Sequence, residues 1–254
     1  LELNLIYRNN SEIEDSMFLF ANLRTVKSDY EIQIVEKAVE IAEKSLNLII
    51  HNLNSGISER EFASLLVIEL LRNGSESELP FSPIVASGAN AANPHHFPSD
   101  KVIEDNELVI VDWGANYKGY FSDITRTFAT GENIDSRLLD AYESVRLANT
   151  AATEKSGDGV TAGEVDLAAR SIIEEKGFGE FFIHRTGHGL GLEIHEEPNI
   201  KQNDDFILKN GNLFTVEPGI YIPKLGGIRI EDDVLIESGK GRSLTTLSRD
   251  LVYL

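Results

Sequence analysis

In "SDYEIQIVEKAVEIAEKSLNLIIHNL" apolar residues return every three or four positions. Ile32, Val35, Val39, Ala42 and Leu46 then share one face, which predicts an amphipathic helix. Ser28 and Glu31 have the spacing of a capping box at its start. Residues 1–24 show only weak periodicity and no clear start or stop, and are read as the tail of an upstream element. The chain opens on Leu1 rather than Met, in keeping with a fragment.

The same pattern occurs twice more, as a repeat. "GISEREFASLLVIELLRNG" (Gly56 to Gly74) aligns without gaps to "GVTAGEVDLAARSIIEEKG" (Gly159 to Gly177). Each opens with Gly, a β-branched residue and a capping box, Ser58 with Glu61 and Thr161 with Glu164. Each closes with a Gly placed to cap the helix. Another helix precedes each copy and strand-like sequence follows. Two related halves are expected, roughly 29–130 and 134–254, each with two helices and then strands. Helices grouped apart from hairpins indicate an α+β fold rather than a βαβ alternation.

The strand-like runs contain acids where apolar residues would be expected. "ELVIVDWG" and "GYFSDITRTFA" flank the turn material "ANYKG". A hairpin centred between Tyr117 and Lys118 would set Asp112 directly opposite Asp123, a costly pairing of like charges. A cation between them removes the cost; a solvent-facing pair in a different register is the alternative. In "NLFTVEPGIYIPKLGGIRIEDDVLI", a hairpin centred on Lys224 sets Glu217 opposite Glu231. One carboxylate pair per half points to more than one divalent cation. Oxygen and imidazole ligands suit Mn, Co, Zn or Fe. "FFIHRTGHGLGLEIHEEP" supplies His184, His188 and His195, and its glycines argue against a helix there and for close backbone approach. "NPHHFPSD" adds His95 and His96 in a proline-flanked loop.

Composition narrows the classes. A net charge of −19 argues against a nucleic-acid or anionic-membrane binder. With no cysteine, disulfides and thiolate ligands are excluded. No apolar run reaches the roughly 18 residues of a membrane span, and no secretory signal is present. A cytoplasmic protein is expected.

With these residues assembled, the sequence resembles the pita-bread metallopeptidases, which include prolidases, Xaa-Pro aminopeptidases and methionine aminopeptidases. Their ligand order Asp, Asp, His, Glu, Glu falls on Asp112, Asp123, His188, Glu217 and Glu231. "GHGLGLEIHEEP", "EPGIYIP" and "GIRIEDDV" carry the likeness, and "GGIRIEDD" with "EPGIY" is similar to the proline-specific branch. The resemblance implies two pseudo-symmetric halves with helices outside a curved antiparallel sheet. It implies residues 25–254 as the catalytic domain, residues 1–24 as a remnant or linker, and a homodimer. Two divalent ions would be held, Mn or Co before Zn or Fe. Asp112 and Glu231 would bridge them, Asp123 would complete one shell, and His188 with Glu217 the other. The implied reaction is hydrolysis of the bond preceding proline in small peptides with proline at the second position. Glu217 would shuttle the proton, His95 would bond substrate or tetrahedral intermediate, and His195 would meet a carbonyl or carboxylate. His184 would line the proline pocket, Arg229 orient ligands or clamp a carboxylate, and Tyr221 support them. Competing readings are a methionine aminopeptidase-type exopeptidase, a non-catalytic binding module and a metal-free creatinase-like C–N hydrolase.

Overall fold

Five α-helices and thirteen β-strands make up residues 17–254, the part described by the computed structural model. Residues 1–16, most of the segment read as remnant or linker, lie outside that part. The rest of it is not featureless: Met17–Thr25 forms helix α1.

Helix α2 (Asp29–Ile49) starts at the full Ser28–Glu31 capping box, and Val35, Val39, Ala42 and Leu46 of the anticipated stripe are buried. Helix α3 (Glu59–Arg72) is N-capped by Ser58. Only half of its box forms: the Ser58 hydroxyl accepts from Glu61 N–H, at 3.2 Å, without the reciprocal bond. Then come β1 (Ile84–Ser87), β2 (Leu108–Trp113), β3 (Asn116–Tyr117), β4 (Tyr120–Phe121) and β5 (Ile124–Ala129). The second half repeats the order with α4 (Ser136–Lys155) and α5 (Ala162–Glu175), the latter under a complete Thr161–Glu164 box. The closing glycines, Gly74 and Gly177, stand one residue beyond the C-caps Asn73 and Lys176. Strands β6 (Gly187–Gly189), β7 (Glu196–Ile200), β8 (Leu213–Val216), β9 (Gly219–Ile222), β10 (Gly226–Arg229), β11 (Asp232–Glu237) and β12 (Lys240–Ser243) follow.

The first half's sheet runs β1-β2-β5 and gains a parallel edge strand, β13 (Val252–Tyr253), from the far end of the chain. The halves are therefore interlocked rather than consecutive. The second sheet runs β12-β11-β8-β6-β7. Each helix pair buries its apolar face on its own sheet, with α2 and α3 on the first and α4 and α5 on the second. Trp113, fully buried, ties its sheet to α2 by donating to the Ala42 carbonyl at 2.9 Å.

The halves meet where β5 runs past the β10–β11 connection. Glu231 N–H donates to the Thr125 carbonyl at 3.0 Å, and the Thr127 hydroxyl donates to the Arg229 carbonyl at 2.9 Å. The Arg126 guanidinium, buried at this seam, donates to the Glu231 carbonyl and the Asp232 carboxylate. Four acidic positions anticipated from the sequence converge beside this seam.

Candidate metal centre

The two hairpins depart from expectation differently. Lys118 and Gly119 both take positive φ, 52° and 81°, and form a two-residue turn. The hairpin is thus centred one residue later than expected, and Asp112 lies opposite Thr125, not Asp123. A two-residue slip preserves the face of the sheet, so Asp112 and Asp123 become diagonal neighbours. The second hairpin has the anticipated register. Gly226 faces Ile222, Arg229 faces Gly219, and Asp232 faces Val216 on the same count. Glu217 and Glu231 stand at facing positions where that ladder opens. Glu217 N–H turns to the Thr186 carbonyl while Glu231 N–H turns to Thr125.

His188, on β6, completes the group. Its Nδ1 lies 3.0 Å from the Gly189 carbonyl, which can only accept. Nδ1 therefore carries the proton and Nε2 presents a lone pair. That lone pair points between Glu217 Oε1, 3.4 Å away, and Asp123 Oδ2, 3.7 Å away. The flanking glycines are needed for β6 to fit. A Cβ on Gly187 would fall 1.8 Å from the Thr215 carbonyl oxygen, and one on Gly189 2.2 Å from that of Glu197. Gly187→Ala should therefore push β6 away and displace His188, cutting metal occupancy severalfold, as read by elemental analysis of purified protein.

Ligand atoms of Asp123, His188 and Glu231 all lie within 4.8 Å of one another. Asp112 Oδ1 and Asp123 Oδ1 are buried with no hydrogen-bond partner, an arrangement that costs free energy unless something positive meets them. Burial raises the carboxyl pKa of both. At Asp112 the Arg229 guanidinium pulls it back, whereas at Asp123 the nearby Glu231 and Asp112 push it further up. Glu231 is raised by burial and by Glu217. Glu217 is raised to about 7 by burial, against the opposing pull of Arg229. Burial and then the neighbouring His195 push His188 down to about 3, so it is neutral. Anions without enough cations and one bare imidazole nitrogen fit a site for hard or borderline divalent metal.

Arg229 arranges its surroundings. Nη2 donates to Asp112 Oδ2 at 2.6 Å and Nε to the Thr125 hydroxyl, which donates to Glu231 Oε2 at 2.7 Å. Nη1 donates to the Tyr221 oxygen at 2.8 Å. Tyr221 donates to His184 Nε2 at 2.9 Å, and His184 Nδ1 donates to the Arg185 carbonyl. Both His184 nitrogens are thus occupied. What it offers the cavity is a ring face, kept neutral by burial with a pKa near 4.

Nine of the ten residues to which the resemblance gives a role line one cavity of about 640 Å³; Tyr221 stands behind them. The ring nitrogens of His95 and His195 have no partner among the described residues. The His195 ring meets His188 edge-on at 4.3 Å. His96, named with His95 in the sequence but given no role by the resemblance, also lines the cavity but bonds back to Glu59. Phe81, Ile84, Phe97 and Ile194 supply an apolar wall. Arg185 was missed. It lines the cavity, donates to the Asn199 side-chain oxygen, and has no carboxylate within ion-pair reach among the described residues. Asn199 is itself oriented by Glu197, whose carboxylate accepts from Asn199 N–H and Nδ2. A lone cation inside a run of Gly and His was the available signal.

Residues 33–238 match Metallopeptidase family M24. The chain is 47% identical over 231 residues to the Xaa-Pro dipeptidase of Pyrococcus furiosus, covering 91% of this chain and 66% of that protein. A crystallised dipeptidase from Pyrococcus horikoshii superposes with a TM-score of 0.91 at 47% identity, over 96% of this chain and 67% of the other. An X-Pro aminopeptidase from Thermotoga maritima gives 0.89 at 39%, over 93% and 66%. The chain spans just under two thirds of the length of the curated relatives it matches. The likeness to solved prolidases bears out the expected pita-bread architecture. Among the described residues no helix is long and apolar enough to cross a membrane.

Proposed function

We propose, since the chain belongs to metallopeptidase family M24, that it hydrolyses the peptide bond preceding proline in short peptides, with two divalent ions, manganese or cobalt, at the seam between its halves. The observation that carries this reading is the group of Asp123, His188 and Glu231, whose ligand atoms lie within 4.8 Å of one another, together with the buried, unpartnered Oδ1 atoms of Asp112 and Asp123. Asp112, Asp123, His188, Glu217 and Glu231 would hold the ions. When bound, they lower the pKa of water towards neutrality and polarise the scissile carbonyl.

The protein's own groups do the rest. Glu217 is partly exposed to the cavity, so its carboxylate can take the proton of the attacking water and return it to the leaving proline nitrogen. Arg229 fixes Asp112 directly and Glu231 through Thr125. The free ring nitrogens of His95 and His195 can bond the substrate carbonyl and the oxyanion that develops from it. The ring face of His184 and the wall of Phe81, Ile84, Phe97 and Ile194 suit a pyrrolidine, which brings no N–H to satisfy. Arg185, oriented but without an anionic partner among the described residues, suits the terminal carboxylate of a dipeptide.

The test is a panel of Xaa-Pro, Xaa-Pro-Yaa and Met-Yaa peptides on manganese- or cobalt-loaded protein. Cleavage confined to Met-Yaa, or none at all, would end this reading. Within the panel, Arg185→Met should raise KM for an Xaa-Pro dipeptide about 10- to 100-fold, the worth of a hydrogen bond to a charged group. KM for the C-terminal amide of the same dipeptide should hardly change.

A further inference from the structure

Glu59 is the first residue of α3 and follows an N-cap serine, a place where acids usually face solvent and favour the helix dipole. Here the residue is fully buried, 0% exposed. Oε1 accepts from Ser87 N–H at 2.8 Å, the Ser87 hydroxyl at 2.9 Å and the Asn90 amide at 3.0 Å. Oε2 accepts from Ser99 N–H at 3.1 Å, the Ser99 hydroxyl at 2.7 Å and His96 Nε2 at 2.8 Å. The backbone adds Glu59 N–H to the Lys101 carbonyl and Arg60 N–H to that of Ser99. Burial alone would raise the carboxyl pKa, but these donors outweigh it and hold it at about 2, so the group is an anion at any working pH.

One carboxylate thus grips both ends and the middle of the segment from Ser87 to Ser99. That segment has little regular structure beyond one short 3₁₀ turn, and it carries Pro94, His95, His96 and Phe97 to the cavity wall. No metal-site candidate touches Glu59. The second half solves the same problem from another position. At the aligned site it has Ala162, and the loop bearing His184 is held a turn further along α5. There Asp166 accepts from the Thr186 hydroxyl and Arg170, and Arg170 donates to the Phe182 and His184 carbonyls. Each half therefore uses its second helix to fix a histidine loop, with residues that the repeat itself does not align.

We propose that Glu59 is the positioning residue of the active site's His95 loop, setting where the His95 ring and the Phe97 wall stand relative to the metal centre. The proposal rests on the functional reading above for its consequence in activity, but not for its structural content. Replacing the carboxylate by an amide of equal size removes the charge and sets an N–H₂ group against the three donor groups aimed at one of its two oxygens. Misplacement of about 1 Å in a positioned group can cost about 100-fold in rate.

The test compares Glu59→Gln, His95→Ala and the double variant in the manganese-loaded protein. Glu59→Gln should keep the wild-type metal content, lose about 10- to 100-fold in kcat/KM, and show faster amide exchange confined to residues 87–99. In a double-mutant cycle it should add far less to His95→Ala than it costs alone, because the placed ring is then already gone and only the Phe97 wall is left to shift. Ser99→Ala, which leaves the carboxylate otherwise partnered, should change exchange in the same direction to a smaller degree and covers the case of a poorly folding Glu59→Gln. Additive losses, or wild-type exchange in 87–99 for both variants, would overturn the proposal. If the wild type cleaved no Xaa-Pro peptide yet Glu59→Gln freed only this segment, the functional reading would fall and Glu59 would stand as the anchor of the loop.

Discussion

Glu231→Gln is expected to abolish metal loading at the seam and to lower kcat/KM on Xaa-Pro peptides by at least about 10³-fold. The substitution conserves volume, and its amide oxygen can still accept from Thr125. What it removes is an anion whose ligand atom lies within 4.8 Å of those of Asp123 and His188. An amide is a weak ligand for a hard cation. Losing Lewis-acid stabilisation worth several kcal/mol corresponds to about three decades in rate. A second readout separates this from misfolding. In the metal-free protein Glu231 repels Glu217 and Asp112. The metal-free variant should therefore melt at or above the metal-free wild type at pH 8. Elemental analysis, peptide kinetics and a melting curve together decide it; full metal content with activity intact would remove Glu231 from the centre.

Much of this centre could be read from the chain, for identifiable reasons. Capping boxes and stripes mark helices locally, so α2, α3 and α5 stand where periodicity placed them. The Glu217–Glu231 register could be read because proline and paired glycines bracket its turn. The Asp112–Asp123 register could not. Lys118–Gly119 is a weaker signal than Asn-Gly, and moving the centre by one residue shifts every partner by two. The error left the functional conclusion untouched only because side chains alternate with period two. Glu59 and Arg185 went unread for a different reason. A first-turn glutamate and an arginine in a loop have ordinary surface explanations, and their partners Ser87, Ser99 and Asn199 lie far along the chain or on a neighbouring strand. Burial of a charge is a property of the fold and cannot be inferred from local sequence.

Removing the metal should produce the other large effect, on stability, and its pH dependence follows from the shifted carboxyls. In the metal-free fold burial raises Asp112, Asp123, Glu217 and Glu231 above their ordinary values, Glu217 to about 7. Near neutrality the folded chain then binds more protons at these sites than the unfolded chain, whose carboxyls titrate near 4. Stability must fall as pH rises wherever the native state holds the extra protons. The metal-free protein should therefore keep these groups' contribution below about pH 4 and lose it progressively as pH climbs through 7. Metal loading displaces those protons and supplies the missing positive charge, so its effect has the opposite slope. At a free metal concentration about 1,000 times the dissociation constant the gain is about 4 kcal/mol, or roughly 10 °C in Tm for a chain of this size. The gap between loaded and metal-free melting curves should be small at pH 5, larger at pH 7 and larger still at pH 8. Titration calorimetry in buffers of different ionisation enthalpy should show proton release on manganese binding at pH 7. A gap that narrowed towards pH 8, or metal binding without proton release, would mean that the carboxylates at the seam do not receive the ion.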